Sequence, residues 1–186
     1  MNHNQPTKRI SSSTSLLSLF TLAMTLLTAV NINAATTTVS SVTALQTAIN
    51  NANAGDILIL ANGTYLNNTL SISKSNITVK AATSGGVYLN GSNAITISGD
   101  NVTFSGFQFT SGFPFGSLNK VAIIVTGDNV LVTRLNFSGY NASKYISLLG
   151  QYDEISYCNF ENKPETSINT SEKGNMIHIA QRSDLT

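Results

Sequence analysis

The sequence predicts an all-β protein, a right-handed, single-stranded parallel β-helix whose first coil is covered by one short α-helix. Three observations carry this. From Ile57 onward apolar and polar residues alternate in short runs, the period of a half-buried strand. The runs repeat: Ala94–Val102 (AITISGDNV) aligns with Ala122–Val130 (AIIVTGDNV), 28 residues later. Charged residues make up only 10% of the 186 residues, while Asn, Ser, Thr and Gly separate the runs, as turn-forming residues do.

The elements follow in chain order. Lys8 and Arg9 precede an uncharged run from Leu16 to Val30 that ends in Ile32-Asn33-Ala34. A charged start, a short apolar stretch and a small-residue exit predict a secretory signal over residues 1–34. A membrane anchor needs ~20 apolar residues, and Ser18, Thr21, Thr25 and Thr28 interrupt this run. The expected mature domain is residues 35–186, secreted or periplasmic, with no membrane contact after cleavage. Loss of Lys8 and Arg9 turns the formal charge from +1 to −1, which argues against a nucleic-acid partner held through phosphates. A single Cys excludes an internal disulfide framework and a Cys-based zinc site.

Residues 35–41 read as a polar lead-in. Val42, Leu45, Ile49 and Ala52 then fall at helical spacing, with Ser40 or Ser41 as N-cap and Gly55 placed to stop the helix. One apolar stripe on so short a helix predicts a lid, which protects a sheet edge from templating aggregation.

Beyond it, a backward shift of 25 places Leu70, Ile72, Asn76, Ile77 and Val79 under Ile95, Ile97, Asn101, Val102 and Phe104. The 28-residue match continues through Phe107 with Leu135 and Phe109 with Phe137. A further shift of 23 places Ile146, Leu148, Gly150, Ile155, Cys158 and Phe160 under Ile123, Val125, Gly127, Val132, Leu135 and Phe137. Each unit holds three short strands and cannot bury its apolar face alone, so like positions must stack. Leucine-rich repeats fit poorly, because Leu is not dominant at fixed positions and no helix fits inside a unit.

The alignment decides several smaller questions. Cys158 falls in an interior slot and reads as a small buried hydrophobe. Asn76, Asn101 and Asn129 stack at one turn, where Asn tolerates left-handed geometry and amides form ladders. Asp100 and Asp128 beside them read as turn residues, since calcium needs further carboxylates and the next coil offers Gln151. The Asn-x-Ser/Thr matches are expected by chance in so Asn/Thr-rich a chain.

Coil length varies at one corner. Thr110–Gly116 follows Phe109, Ser138–Ala142 follows Phe137, and Glu161–Asn175 follows Phe160. Insertions at one corner project on one side, commonly the binding side. They carry Phe113, Phe115, Tyr140, Lys144, Lys163 and Lys173, which suit an extended polyanionic sugar; solvated loops with incidental lysines are the equal alternative.

Leu45–Ile49 followed by Ala54–Tyr65 (AGDILILANGTY) resembles the cap and first coil of polysaccharide lyase family 6, which contains alginate lyases and dermatan lyases of the chondroitinase B type. Ile77–Ala81 with Ser84–Val87, then Val102–Phe107 and Phe160–Lys163, are similar to the next family segments in order. The resemblance implies β-elimination: calcium neutralises the uronate carboxylate, a lysine removes the acidified ring proton and an arginine assists the leaving oxygen. In the family those lie on coils beyond the matched region, so no catalytic residue or metal ligand is assigned here, and neither Lys80 nor Arg134 is put in their place.

Met176–Ala180 opens another coil, and no amphipathic cap follows before Thr186, which predicts the N-terminal part of a longer protein, inactive by itself. Lys163, His178 and Arg182 are the candidate substrate contacts. His178, aligned with Ser147 and Ile124, is expected to point outward, where a merely solvated ring is the simpler reading. The expected function is the N-terminal portion of an exported lyase acting on an acidic polysaccharide, alginate first. The alternative is a non-catalytic carbohydrate-binding or adhesive β-helix. A uronan epimerase would need an acidic and tyrosine constellation not seen in the sequence.

Overall fold

A computed structural model describes residues 34–114, 121–163 and 177–179, together with Met1. The expected leader, Phe115, Lys173 and Arg182 lie outside the described residues.

The first described element is a strand, β1 (Thr36–Val39), where a polar lead-in was expected. Its Thr-rich sequence has β-branched residues suited to a strand, and it pairs in parallel with β2 (Ile57–Leu60), Thr36 opposite Ile57 and Val39 opposite Leu60. The helix α1 (Val42–Asn51) follows. Ser41, not Ser40, is its N-cap: the Ser41 hydroxyl accepts from the Ala44 amide at 3.1 Å, satisfying one of the free N–H groups of the first turn. The helix ends before Gly55, with the Ala52 amide donating to Ile49 O; Gly55 serves the next turn at φ +93°. Leu45 and Ile49 are fully buried against the first coil.

Five coils then stack. The first is β2, β3 (Gly63–Leu66) and β4 (Thr69–Ile72). The second is β5 (Thr78–Ala81) and the long β6 (Val87–Ile97), which runs through two faces. The third is β7 (Thr103–Ser105), β8 (Phe107–Pro114) and β9 (Val121–Val125). The fourth is β10 (Leu131–Thr133), β11 (Asn136–Tyr140) and β12 (Lys144–Leu148). The fifth is β13 (Glu154–Ser156), β14 (Asn159–Glu161) and β15 (Ile177–Ile179). Every pairing between coils is parallel, giving a six-stranded sheet β1-β2-β5-β7-β10-β13 and a nine-stranded one whose two faces share β6.

The observed register is the one the repeats predict. Leu70, Ile95, Ile123, Ile146 and Ile177 stack on one face, and Val79, Phe104, Val132 and Ile155 on another. On the third, Leu89, Phe109, Phe137 and Phe160 form a column. The Phe109 and Phe137 rings lie 4.4 Å apart at 10°, and Phe104 stacks on Phe107 at the same distance. Each such fully buried ring contributes about 1.5–3 kcal/mol through burial. Cys158 occupies the expected slot only in part: it is half-buried at the last coil, and burial pushes its thiol up.

The open start is protected twice. β1 covers the edge of β2, and the Gln46 side chain covers β4: its Oε1 accepts from Ser71 N at 2.8 Å while its Nε2 donates to Ser71 O at 2.9 Å. One side-chain amide thus takes the place of a neighbouring strand.

Candidate functional site

Two corners of the coil differ in kind. At the first, Asn76, Asn101 and Asn129 all adopt left-handed backbone, φ +60°, +54° and +56°. Their backbone amides donate to Asp100, Asp128 and Gln151 carbonyls of the following coil at 2.8–2.9 Å, and Asn101 Nδ2 donates to Asn76 Oδ1 at 3.1 Å. The turn reading of the two aspartates holds as well. Asp100 Oδ1 accepts from Asp128 N and Asp128 Oδ1 from Gln151 N, both at 2.9 Å. Among the described residues no three His, Cys, Asp or Glu side chains converge as a metal site, so no catalytic step through calcium is derived from them.

The second corner carries the insertions, and Tyr140 and Gly112 share a register position there. Tyr140, expected as an aromatic platform, is instead fully buried. Its ring packs edge-on against Phe109 and Phe137, and its hydroxyl accepts from Asn93 Nδ2 at 3.3 Å. Desolvation pushes this phenol up to about 12. Gly112, its register partner one coil below, is itself closely packed: a Cβ there would lie 2.1 Å from Gly91 O. Phe113 does project, 57% exposed.

Lys163 leaves β14 and returns over β12. Its Nζ donates to Ser143 O at 2.8 Å and stands 5.5 Å from the Tyr145 ring centroid, a cation–π arrangement. Partial burial lowers its ammonium from the ordinary lysine value. Tyr145 packs in turn on Phe137 at 4.6 Å and on Phe160 at 5.7 Å. His178 stands in register with Ser147, as expected, but is half-buried rather than free in solvent, its Nδ1 3.0 Å from Ser147 Oγ. Lys163 and His178 are therefore both seated on β12, over Tyr145 and Ser147. The structure brings these two candidates to one strand.

Sequence reasoning missed other surface groups. Tyr152 and Tyr157 are each 84% exposed and sit at the two ends of β13 in left-handed backbone, φ +59° and +52°. Arg134 of the coil below lies 5.7 Å over the Tyr157 ring. The signal was available, because the shift of 23 places Tyr152 on Asn129 and Tyr157 on Arg134, a bulky ring where the turn favours Asn or Gly. The outer surface of β6, β8 and β11 carries Tyr88, Gln108 and Asn136 in register, with Asn136 Nδ2 donating to Gln108 Oε1 at 3.0 Å.

The sequence pattern of the chondroitinase B family matches residues 39–179. The chain belongs to that family of polysaccharide lyases. Among solved structures, the PL6 family alginate lyase AlyGC shares the fold with a TM-score of 0.66 and 20% identity, covering 79% of this chain and 23% of AlyGC. The alginate lyase AlyF-OU02, solved in complex with G6, gives a TM-score of 0.66 at 22% identity, over 85% of this chain and 34% of that protein. A further PL6 alginate lyase, solved with a trisaccharide, gives 0.66 at 21%, over 80% and 33%. The chain thus spans about a quarter to a third of the solved lyases it matches. No curated protein matches its sequence.

Proposed function

We propose that these coils are the N-terminal part of an exported lyase that cleaves a uronate-containing polysaccharide, alginate first, by calcium-assisted β-elimination. The family match over residues 39–179 carries this reading. The lyases of like fold that were solved with an oligosaccharide favour a polysaccharide substrate over any other class. The metal, the base and the leaving-group acid are proposed to lie on coils outside these residues. In the described part, Lys163 and His178 beside the insertions would hold the acidic chain and orient it along the coil axis. Calcium, when bound, would stabilise charge developing on the uronate carboxylate.

The test has two arms: the 186-residue chain, and the same reading frame extended through the codons that follow Thr186. Each is incubated with alginate and with dermatan sulfate, with calcium or with chelator, and unsaturated uronate is measured. The expected result is a silent short chain and a calcium-dependent extended one, active on alginate. Release of unsaturated uronate by the short chain contradicts the placement of the chemistry. Silence of the extended protein on both polymers, with retained binding, favours the non-catalytic carbohydrate-binding reading.

A further inference from the structure

Asp56 is a carboxylate in an unusual position. Only 6% of it is exposed, and both its oxygens are engaged by backbone: Oδ1 accepts from Ala35 N and Oδ2 from Asn53 N, each at 2.8 Å. These two bonds hold the carboxyl below its ordinary range. Both donors are neutral peptide groups, and among the described residues no cation faces it. A buried charge is normally paired. Two amides need only a neutral acceptor, so the negative charge is surplus to the bonds it makes.

The surplus falls at one particular residue. Ala35 is the first residue after the expected leader of residues 1–34, and its own carbonyl accepts from Ile57 N at 2.8 Å. Strand β1 begins at the next residue, Thr36. Ala35 is therefore tied to the first coil at both N and O, while Ala34 and Ala35 remain at the surface.

We propose that Asp56 is the receptor for the α-ammonium created at Ala35 when the leader is removed. Hydrolysis of the Ala34–Ala35 bond consumes one water, leaving a carboxylate on Ala34 and an ammonium on Ala35. The nitrogen that donates as a neutral amide in the unprocessed chain then donates as a cation at the same place, forming a charge-assisted bond to a buried acceptor. Processing thereby completes the pairing that seats β1 against β2 and closes the first sheet edge. Cleavage one residue away on the N-terminal side would leave an ordinary peptide at Asp56. The inference rests on the export reading, and the experiment separates the two.

The full chain with its leader is produced in an exporting host, and the N-terminus of the exported protein is read by mass spectrometry. Retention of residues 1–34 contradicts export and overturns this inference with it; a new end at any residue other than Ala35 overturns the inference alone. With the end at Ala35, four exported proteins are compared by thermal unfolding. They are the wild type, Asp56→Asn, an insertion of Gly-Ser between Ala34 and Ala35 that leaves two residues ahead of Ala35, and both changes together. Asp56→Asn is expected to lower Tm by several degrees more with the native end than with the extended end. Equal losses in the two backgrounds reduce Asp56 to a turn residue and overturn the proposal. If Asp56→Asn does not accumulate, acylation of the terminal amine gives the answer without it. About tenfold slower acylation of the native than of the extended end, one unit in amine pKa, supports the pairing, and equal rates overturn it.

Discussion

Two corners of this coil are built from the same kind of polypeptide and do opposite things. At the Asn76–Asn101–Asn129 corner the three asparagine turns have the same form, and each of the three amides is tied to the next coil. At the other corner the connection changes length in every coil, and its described side chains, Tyr140, Tyr145 and Lys163, pack on residues drawn from several coils. The fixed corner sets the rise from coil to coil. The variable corner is free to acquire groups without disturbing that rise, and it is there that Lys163 stands, beside the strand that also seats His178.

The difference can be broken most severely through the interior that both corners share. Phe137 contacts Phe109, Tyr140, Tyr145 and Phe160, so Phe137→Ala is expected to destabilise by about 3–5 kcal/mol in a denaturant titration. Next comes the fixed corner. A Cβ at Gly127 would lie 2.2 Å from Gly99 O, and because the obstacle is backbone, Gly127→Ala is expected to cost about 1–3 kcal/mol in the same titration.

Asn101→Ala is a smaller break, about 1–2 kcal/mol, since it puts an ordinary residue at φ +54° and removes one ladder bond. Asn101→Gly, which keeps the backbone freedom, should recover part of that loss. At the variable corner, Lys163→Met is expected to move the unfolding midpoint little, by about 0.5–1 kcal/mol for the lost cation–π contact, while weakening retention on immobilised alginate. Equal effects on stability at Gly127 and Lys163 would erase the distinction between the corners.

Burial of Tyr140 is checked by ultraviolet titration. Its phenol is raised to about 12, above the ordinary ~10 of an unfolded chain, so the titration should show a late tyrosine step. Because the folded value is the higher one, this group's stabilising contribution is intact below about pH 10 and is lost as pH rises toward 12. Tyr140→Phe should abolish the late step.

Much of the fold was legible because stacking forces identical chemistry onto identical positions. Ile95 over Leu70 and Phe109 under Phe137 are visible in the sequence once the offsets of 25 and 28 are found. Features that depend on two different coils were not. Tyr140 reads as a loop aromatic until Phe109 and Asn93 of the coils below are seen to pack against its ring and hydroxyl. β1 reads as a polar lead-in because its partner strand begins 21 residues later, at Ile57, and only tertiary pairing makes Thr36–Val39 a strand. At the candidate site the residue types were readable but not their engagement: Ser143 and Tyr145 hold Lys163, and Ser147 meets His178, through contacts spanning 18 to 31 residues of sequence.

The central claim, that the variable corner and β12 meet an acidic polysaccharide while the asparagine corner is framework, is tested most directly by amide chemical-shift mapping of the chain titrated with alginate oligosaccharide. The account predicts shifts clustered at Phe113, Ser143–Ser147, Lys163 and His178, with Asn76, Asn101 and Asn129 unmoved. Shifts centred on the asparagine corner, or none at saturating oligosaccharide, would contradict it.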